Sequence, residues 1–258
     1  MSVKVALVTG ASSGIGYATA LAFARQGVHV AATARRADKL NELVAAGLPG
    51  EILPIAADVT SAEDMQQAVS QTVARFGRLD YCIANAGIGQ RGSIVDSEWE
   101  HLDTLLRTNI DGVLHTIRAA VPEIRKTGGG HIVIVSSVVA NMTAPYAATY
   151  SASKAFVSSL ARSLRLELEA DNITVTDILV GRTSTEFNKR RLGAAGYADR
   201  AARLPTMTPE KVADAIVRTC QRRKPNTLIL RPFDRLIVWA NALVPGFMGR
   251  RALKQYKT

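Results

Sequence analysis

Within one eighteen-residue stretch, Ser137, Tyr150 and Lys154 offer a hydroxyl, a phenol and an ammonium that can meet at a single substrate oxygen. From Thr149 onward the sequence TYSASKAFVSSLARSLRLELEA reads as a helix, so Tyr150 and Lys154, four residues apart, project from the same face. An ammonium there is expected to make the phenol easier to ionise. The ordinary tyrosine value is near 10, and a proton donor working at neutral pH needs roughly 3–4 kcal/mol of help. Ser137 closes the strand-like run HIVIVSS, where its hydroxyl can hydrogen-bond the same oxygen. The chemistry is general acid–base work on that oxygen. Taken alone, Tyr-x-x-x-Lys also fits a solvated helix face, so a second motif must decide.

That motif lies near the N-terminus. Lys4 to Thr9 form a short apolar strand, followed by TGASSGIG with Gly10, Ser12, Ser13, Gly14, Ile15 and Gly16, and then by an amphipathic helix from Ile15. Glycines at a strand-to-helix turn let backbone approach a pyrophosphate, and the helix start offers free N–H groups. The spacing differs from the G-x-G-x-x-G of the commonest dinucleotide fingerprint. Together with Asn85-Ala86-Gly87, Asn109, Ser137, Tyr150 and Lys154 in order, it resembles the short-chain dehydrogenase/reductase family of nicotinamide-dependent oxidoreductases, from about residue 3 to about residue 231.

The resemblance implies roles for further residues. Asp58 would bond the adenine amino group with Val59 beside the ring, and Asn85, Ala86 and Gly87 would form a turn close to the cofactor. Asn109 would distort its helix and hold a water linking Lys154 to solvent. Gly181, Thr183 and Thr185 would approach the nicotinamide, and Lys154 would bind its ribose hydroxyls. Val180 stands where the family usually has proline, which puts the rigidity of that loop in question. After the second strand the sequence is Ala34-Arg35-Arg36, where an NAD-preferring relative usually carries an acid. Arginine pairs with a 2′-phosphate in a charge-assisted contact, so the expected cofactor is NADP(H). Arg35, directly after the strand, is the expected reader, and Arg36 fits a solvent-facing position better.

The elements that must position these groups alternate. Strands are expected near Val3–Thr9, Val28–Thr33, Ile52–Ala57, Leu79–Ala84, His131–Ser136, Ile173–Leu179 and Thr227–Leu230. Helices are expected near Ile15–Gln26, Asp38–Ala46, Ala62–Arg75, Ser97–Ile124, Thr149–Ala170 and Thr208–Arg222. Strand–helix alternation predicts an α/β fold, a single Rossmann-type doubly wound domain over 1–258, with a seven-stranded parallel sheet and helices on both faces. At 258 residues and 47% hydrophobic composition, one well-buried domain accounts for the chain. Cys82 and Cys220 lack metal-ligand spacing and read as buried thiols of a reducing compartment, and the four histidines form no pattern, so no metal site is expected. The first strand begins almost at the N-terminus, and a cytoplasmic location is expected, with membrane association through the tail as an option.

Charge is uneven. Residues 1–181 carry 15 Lys and Arg against 17 Asp and Glu, a net of −2, whereas residues 182–258 carry 17 against 5, a net of +12. An anionic partner or a merely solvated arginine surface explains this equally, and no recognition motif points to nucleic acid. Residues 186–206 read as a substrate lid, with Phe187, Leu192, Tyr197 and Leu204 among Lys189, Arg190, Arg191, Arg200 and Arg203. The 232–258 tail lacks the glycine-rich ending of oxoacyl carrier-protein reductases and resembles that of lipid- and steroid-acting members. Its apolar run from Leu236 to Met248 is too short to span a bilayer and is expected either at a subunit interface of a homodimer or homotetramer or, through 236–258, at a membrane surface. The activity implied is interconversion of a small-molecule ketone or aldehyde and an alcohol, on an apolar substrate. An oxoacyl carrier-protein reductase and a non-catalytic cofactor-binding sensor are the alternatives.

Overall fold

The computed structural model describes residues 2–193, 206–223 and 225–254. Seven strands, β1 (Val5–Thr9), β2 (His29–Ala34), β3 (Ile52–Ala56), β4 (Tyr81–Ala84), β5 (Gly130–Ser137), β6 (Ile173–Val180) and β7 (Asn226–Ile229), form one sheet in the order β3-β2-β1-β4-β5-β6-β7. Every pairing is parallel. The helices are α1 (Gly14–Arg25), α2 (Ala37–Val44), α3 (Ala62–Phe76), α4 (Trp99–Leu106), α5 (Gly112–Lys126), α6 (Ala148–Glu167), α7 (Pro209–Arg222), α8 (Pro232–Leu243) and α9 (Pro245–Leu253).

Burial on both faces explains why the strands read as nearly continuous apolar runs. In β1, Ala6 and Val8 enter one core with Phe23 of α1 and Val212 and Ile216 of α7. Val5 and Leu7 enter the other, with Met65 of α3 and Val113 and Ile117 of α5. Strand order reverses direction between β1 and β4. A crevice opens beyond the strand ends at such a point, and the glycine loop sits there.

One element departs from expectation. The single helix expected over Ser97–Ile124 is broken: α4 ends at Leu106, a π-helical turn covers Arg107–Asp111, and α5 starts at Gly112. The side chain of Asn109 provides the cause. Its Oδ1 accepts from the Ile88 N–H at 2.9 Å, and its Nδ2 donates to the Ile88 carbonyl at 3.0 Å and to Ser153 Oγ at 3.1 Å. Satisfying a buried amide with three bonds outside the helix compensates for one widened turn. A Cβ on Gly112 would lie 2.6 Å from Val59 Cγ2, so this position also lets the helix pass close to Val59.

The tail forms two helices, α8 and α9, beyond those expected from the sequence. α8 and α9 pack on one another, and α8 lies against the 3-10 turn Val138–Asn141 that follows β5. No helix among the described residues is long and apolar enough to cross a membrane.

Candidate active site

A cavity of about 660 Å³ runs along the carboxyl ends of the strands, from the glycine loop at one end to Ser137, Tyr150 and Lys154 at the other. At the loop, Gly10 has φ +68° and a Cβ there would lie 2.9 Å from Ala86 Cα, while one on Gly16 would lie 2.4 Å from the Gly10 carbonyl oxygen. Gly14 has φ +58° and faces Thr185, whose Cγ2 would be 3.1 Å from an added Cβ. Asn85 locks this cradle from β4. Its Nδ2 donates to the Thr9 carbonyl at 2.8 Å, and the Asn85 and Ala86 N–H groups donate to Thr9 Oγ1 at 3.0 Å. A backbone cradle this bare, at a helix start and beside a cavity of this size, fits a dinucleotide.

Behind β2 both arginines line the cavity, and Arg36 departs from the solvent-facing position expected of it. Arg36, expected to face solvent, donates through one guanidinium nitrogen to the Ser12 carbonyl at 3.2 Å and Ser12 Oγ at 2.9 Å. Arg35, the expected reader, has a side chain 69% exposed and stands 3.8 Å from Asp58. The reason is that α2 begins at Ala37: Arg36 occupies its N-cap and turns back over the glycine loop, while Arg35 points across the strand end. Both line the cavity, as do Asp58 and Val59. Asp58 Oδ1 accepts from the N–H and hydroxyl of Thr60, both at 2.9 Å, which fixes the carboxylate's orientation.

At the other end, Lys154 is almost fully buried and its Nζ donates to the Val135 carbonyl at 3.0 Å. Gly87 makes room for it, since a Cβ there would lie 3.3 Å from Nζ and 3.1 Å from Asn109 Oδ1. Burial depresses the Lys154 pKa to about 8, against the opposing pull of Asp177. Ser137 is buried at the end of β5, and its hydroxyl donates to the Val180 carbonyl at 3.2 Å. The phenol of Tyr150 is pushed up by burial, and the two influences that oppose this are the Ser137 hydroxyl and the Arg191 guanidinium. The expected lowering of the phenol pKa is not met, because burial outweighs both influences, and the Lys154 ammonium donates to a strand carbonyl.

The loop after β6 is held despite Val180. Ser184 N–H donates to the Met207 carbonyl and Met207 N–H to the Arg182 carbonyl, each at 2.8 Å, so a pair of backbone bonds ties this loop to Met207. Gly181 packs against the tail, because a Cβ there would lie 2.1 Å from Asp234 Oδ2. Thr183 Oγ1 donates to the Gly181 carbonyl at 3.1 Å, and Thr185 Oγ1 accepts from Phe187 N–H at 3.3 Å. Phe187 brings its ring to 5.9 Å from that of Tyr150. Of the expected lid, Phe187, Arg190, Arg191 and Leu192 line the cavity, whereas Tyr197, Arg200, Arg203 and Leu204 lie outside the described residues.

Residues 4–194 match the family model described as short chain dehydrogenase. The chain belongs to the short-chain dehydrogenase/reductase family of oxidoreductases. An uncharacterised oxidoreductase of Staphylococcus haemolyticus is 36% identical over 214 residues, covering 83% of this chain and 89% of that one. A 3-oxoacyl-[acyl-carrier-protein] reductase of Thermotoga maritima is 35% identical over 219 residues, with the same two coverages. Among solved structures, a 3-ketoacyl-(acyl-carrier-protein) reductase from Brucella melitensis complexed with NADH superposes with a TM-score of 0.80, at 27% identity over 89% of this chain and 97% of that one. An alcohol dehydrogenase from the archaeon Thermococcus sibiricus complexed with 5-hydroxy-NADP gives 0.77, with the same identity and coverages. The fold therefore carries either kind of nicotinamide cofactor in these neighbours.

Sequence reasoning missed the groups behind the site. Asp177 is buried on β6 and accepts from Ser158 Oγ at 2.7 Å; Ser158 meets Ser136 Oγ at 2.9 Å, and Ser136 donates to the Lys154 carbonyl at 3.0 Å. Burial pushes Asp177 up to about 6. Ser153, which holds Asn109, was likewise unmarked, as was Asn241 in the tail. Each is a polar residue in an element whose pattern reveals only its apolar face.

Proposed function

We propose that this oxidoreductase uses NADP(H) to interconvert a ketone or aldehyde and an alcohol on an apolar, lipid-like substrate. The observation that carries the reading is the shared cavity: the glycine cradle with Arg36 over it at one end, and Ser137, Tyr150 and Lys154 at the other. NADP(H), when bound, supplies the hydride exchanged with the substrate carbon. Gly10, Gly14 and Gly16 with Ser12, Ser13 and Ile15 would hold its pyrophosphate, and Arg35 and Arg36 its 2′-phosphate. Asp58 and Val59 would meet the adenine; Asn85, Ala86 and Gly87 would flank the ribose. Gly181, Thr183 and Thr185 would meet the nicotinamide.

The chain's own groups do the rest. Tyr150 gives a proton to the substrate oxygen in one direction and takes it in the other. Ser137 orients that oxygen, and with Arg191 it offsets the cost of ionising a buried phenol. Lys154 binds the ribose hydroxyls, and Asn109, pinned to Ile88, completes the proton path towards solvent. Ile88, Val138, Val139, Phe187 and Leu192 give the reaction end of the cavity an apolar wall, which supports an apolar substrate. A sensor without catalysis is disfavoured by the presence of Ser137, Tyr150 and Lys154 together at that end of the cavity. Reduction of a carrier-linked 3-oxoacyl group is the second reading, favoured by the Thermotoga relative. We place the protein in the cytoplasm, consistent with two buried free thiols, and expect a homo-oligomer, to which the exposed Leu166 and Trp99 offer apolar contact.

The test is thermal stabilisation by NADPH and NADH in parallel, where ligand at 100 times its Kd adds about 2.7 kcal/mol. A selective response to NADPH that falls in Arg36→Ala, and further with Arg35→Ala added, supports the cofactor assignment. Equal responses to the two cofactors would overturn it.

A further inference from the structure

α8 is built inside out. Its buried side chains are polar: Asp234, 4% exposed, is clamped by Arg231 at 2.6 and 2.7 Å, and Asn241, 7% exposed, bonds the Thr143 N–H at 3.0 Å and the Asn141 carbonyl at 3.1 Å. Its outward face is apolar, with Phe233, Leu236, Trp239 and Leu243 at helical spacing. Val244 and Phe247 continue the exposed apolar surface onto α9. Leu236 is 59%, Trp239 63% and Phe247 57% exposed. An amphipathic helix ordinarily turns its apolar face to the core. Here hydrogen bonds and an ion pair anchor the helix, and among the described residues nothing covers the apolar face.

Charge selects the occupant. From residue 235 to the C-terminus the sequence carries Arg235, Arg250, Arg251, Lys254 and Lys257 and no acidic residue at all. Arg235, Arg250, Arg251 and Lys254 are exposed. A second copy seated on this face would bring two such cationic sets together, because a two-fold interface repeats the same patch on both sides. An anionic lipid surface meets the same residues with opposite charge, and an exposed tryptophan between basic flanks suits the headgroup boundary. We propose that α8 and α9 form a peripheral docking surface for an anionic lipid bilayer, lying in its interface without crossing it. The inference does not rest on the reduction chemistry.

The experiment is cosedimentation of the full chain, without cofactor or substrate, with vesicles of phosphatidylcholine alone and of an equal mixture with phosphatidylglycerol, at low and high salt. Two double variants accompany it: Trp239→Glu with Phe247→Glu, and Arg250→Glu with Arg251→Glu. All four side chains are exposed, so melting temperatures should stay near that of the parent protein. The expected result is partition onto the mixed vesicles that weakens with salt and falls about tenfold or more in each variant. No partition onto the mixed vesicles, or partition unchanged in both variants, overturns the proposal. So does a parent protein that ignores vesicles but whose assembly shrinks with Trp239→Glu and Phe247→Glu, which would make a second copy the occupant. Failure here leaves the cofactor titration untouched, and failure there leaves lipid binding untouched.

Discussion

The glycine cradle after β1 and the helix α8 both sit against the same cavity end loops, yet they are made in opposite ways. The cradle is shaped by backbone: Gly10, Gly14 and Gly16 leave no room for a Cβ, and Asn85 fastens the turn to Thr9. α8 is held by side chains, through Asp234 packed on Gly181 and Asn241 bonded to the segment between Ser137 and Tyr150. The family model ends at residue 194, before α8 begins. The cradle is thus a backbone device lining the cavity, whereas α8 lines none of it and is fastened to the outside of the loops after β5 and β6 by side-chain bonds.

Substitutions can break this division. Tyr150→Phe is expected to have the largest effect, a loss of roughly 10²–10⁴ in kcat with little change in cofactor affinity, read by steady-state rates beside a binding titration. Retained turnover would remove Tyr150 as the acid. Next is Gly16→Val, where the new side chain meets the Gly10 carbonyl. About 3 kcal/mol of stability or more should go, with cofactor binding, in a denaturant melt.

Asp177→Asn sharpens the comparison on the catalytic side. The carboxyl titrates at about 6 when folded and near the ordinary carboxylate value when unfolded, so between those values the unfolded chain has released a proton that the folded chain keeps. Stability should therefore fall as pH rises from about 4 through 6, by roughly 2–3 kcal/mol, and the variant should flatten that slope. An unchanged slope would mean that another group governs it. The smallest effect is expected from Asn241→Ala, which strips partners from the Thr143 N–H and the Asn141 carbonyl. About 1–2 kcal/mol should be lost and substrate KM raised, while cofactor affinity holds. A loss of cofactor affinity instead would erase the distinction between the two regions.

Much of this was legible from the residues in order. The strands announced themselves because burial on both faces makes them mostly apolar runs, and Gly10, Gly14 and Gly16 because only glycine leaves bare backbone at a turn. The π turn at Arg107–Asp111 was not, since it arises from bonds between Asn109 and Ile88, twenty-one residues away. The contact of Arg36 with the glycine loop was not legible either, because adjacent residues at a strand end diverge according to where the next helix starts. The direction of the Tyr150 shift was misjudged for a similar reason: helical spacing puts Lys154 on the right face, but its ammonium donates to the Val135 carbonyl, and burial dominates the phenol.

The sequence by itself determined the sheet and the glycine turn after its first strand, because each follows from local periodicity or from a residue type that only one backbone geometry requires. Only the tertiary structure decided which arginine covers the glycine loop, that burial raises the phenol pKa, and that the tail turns its polar side inward. Those outcomes depend on which partners meet across long separations, and a hydrogen bond or ion pair between distant residues leaves no periodic trace in the chain.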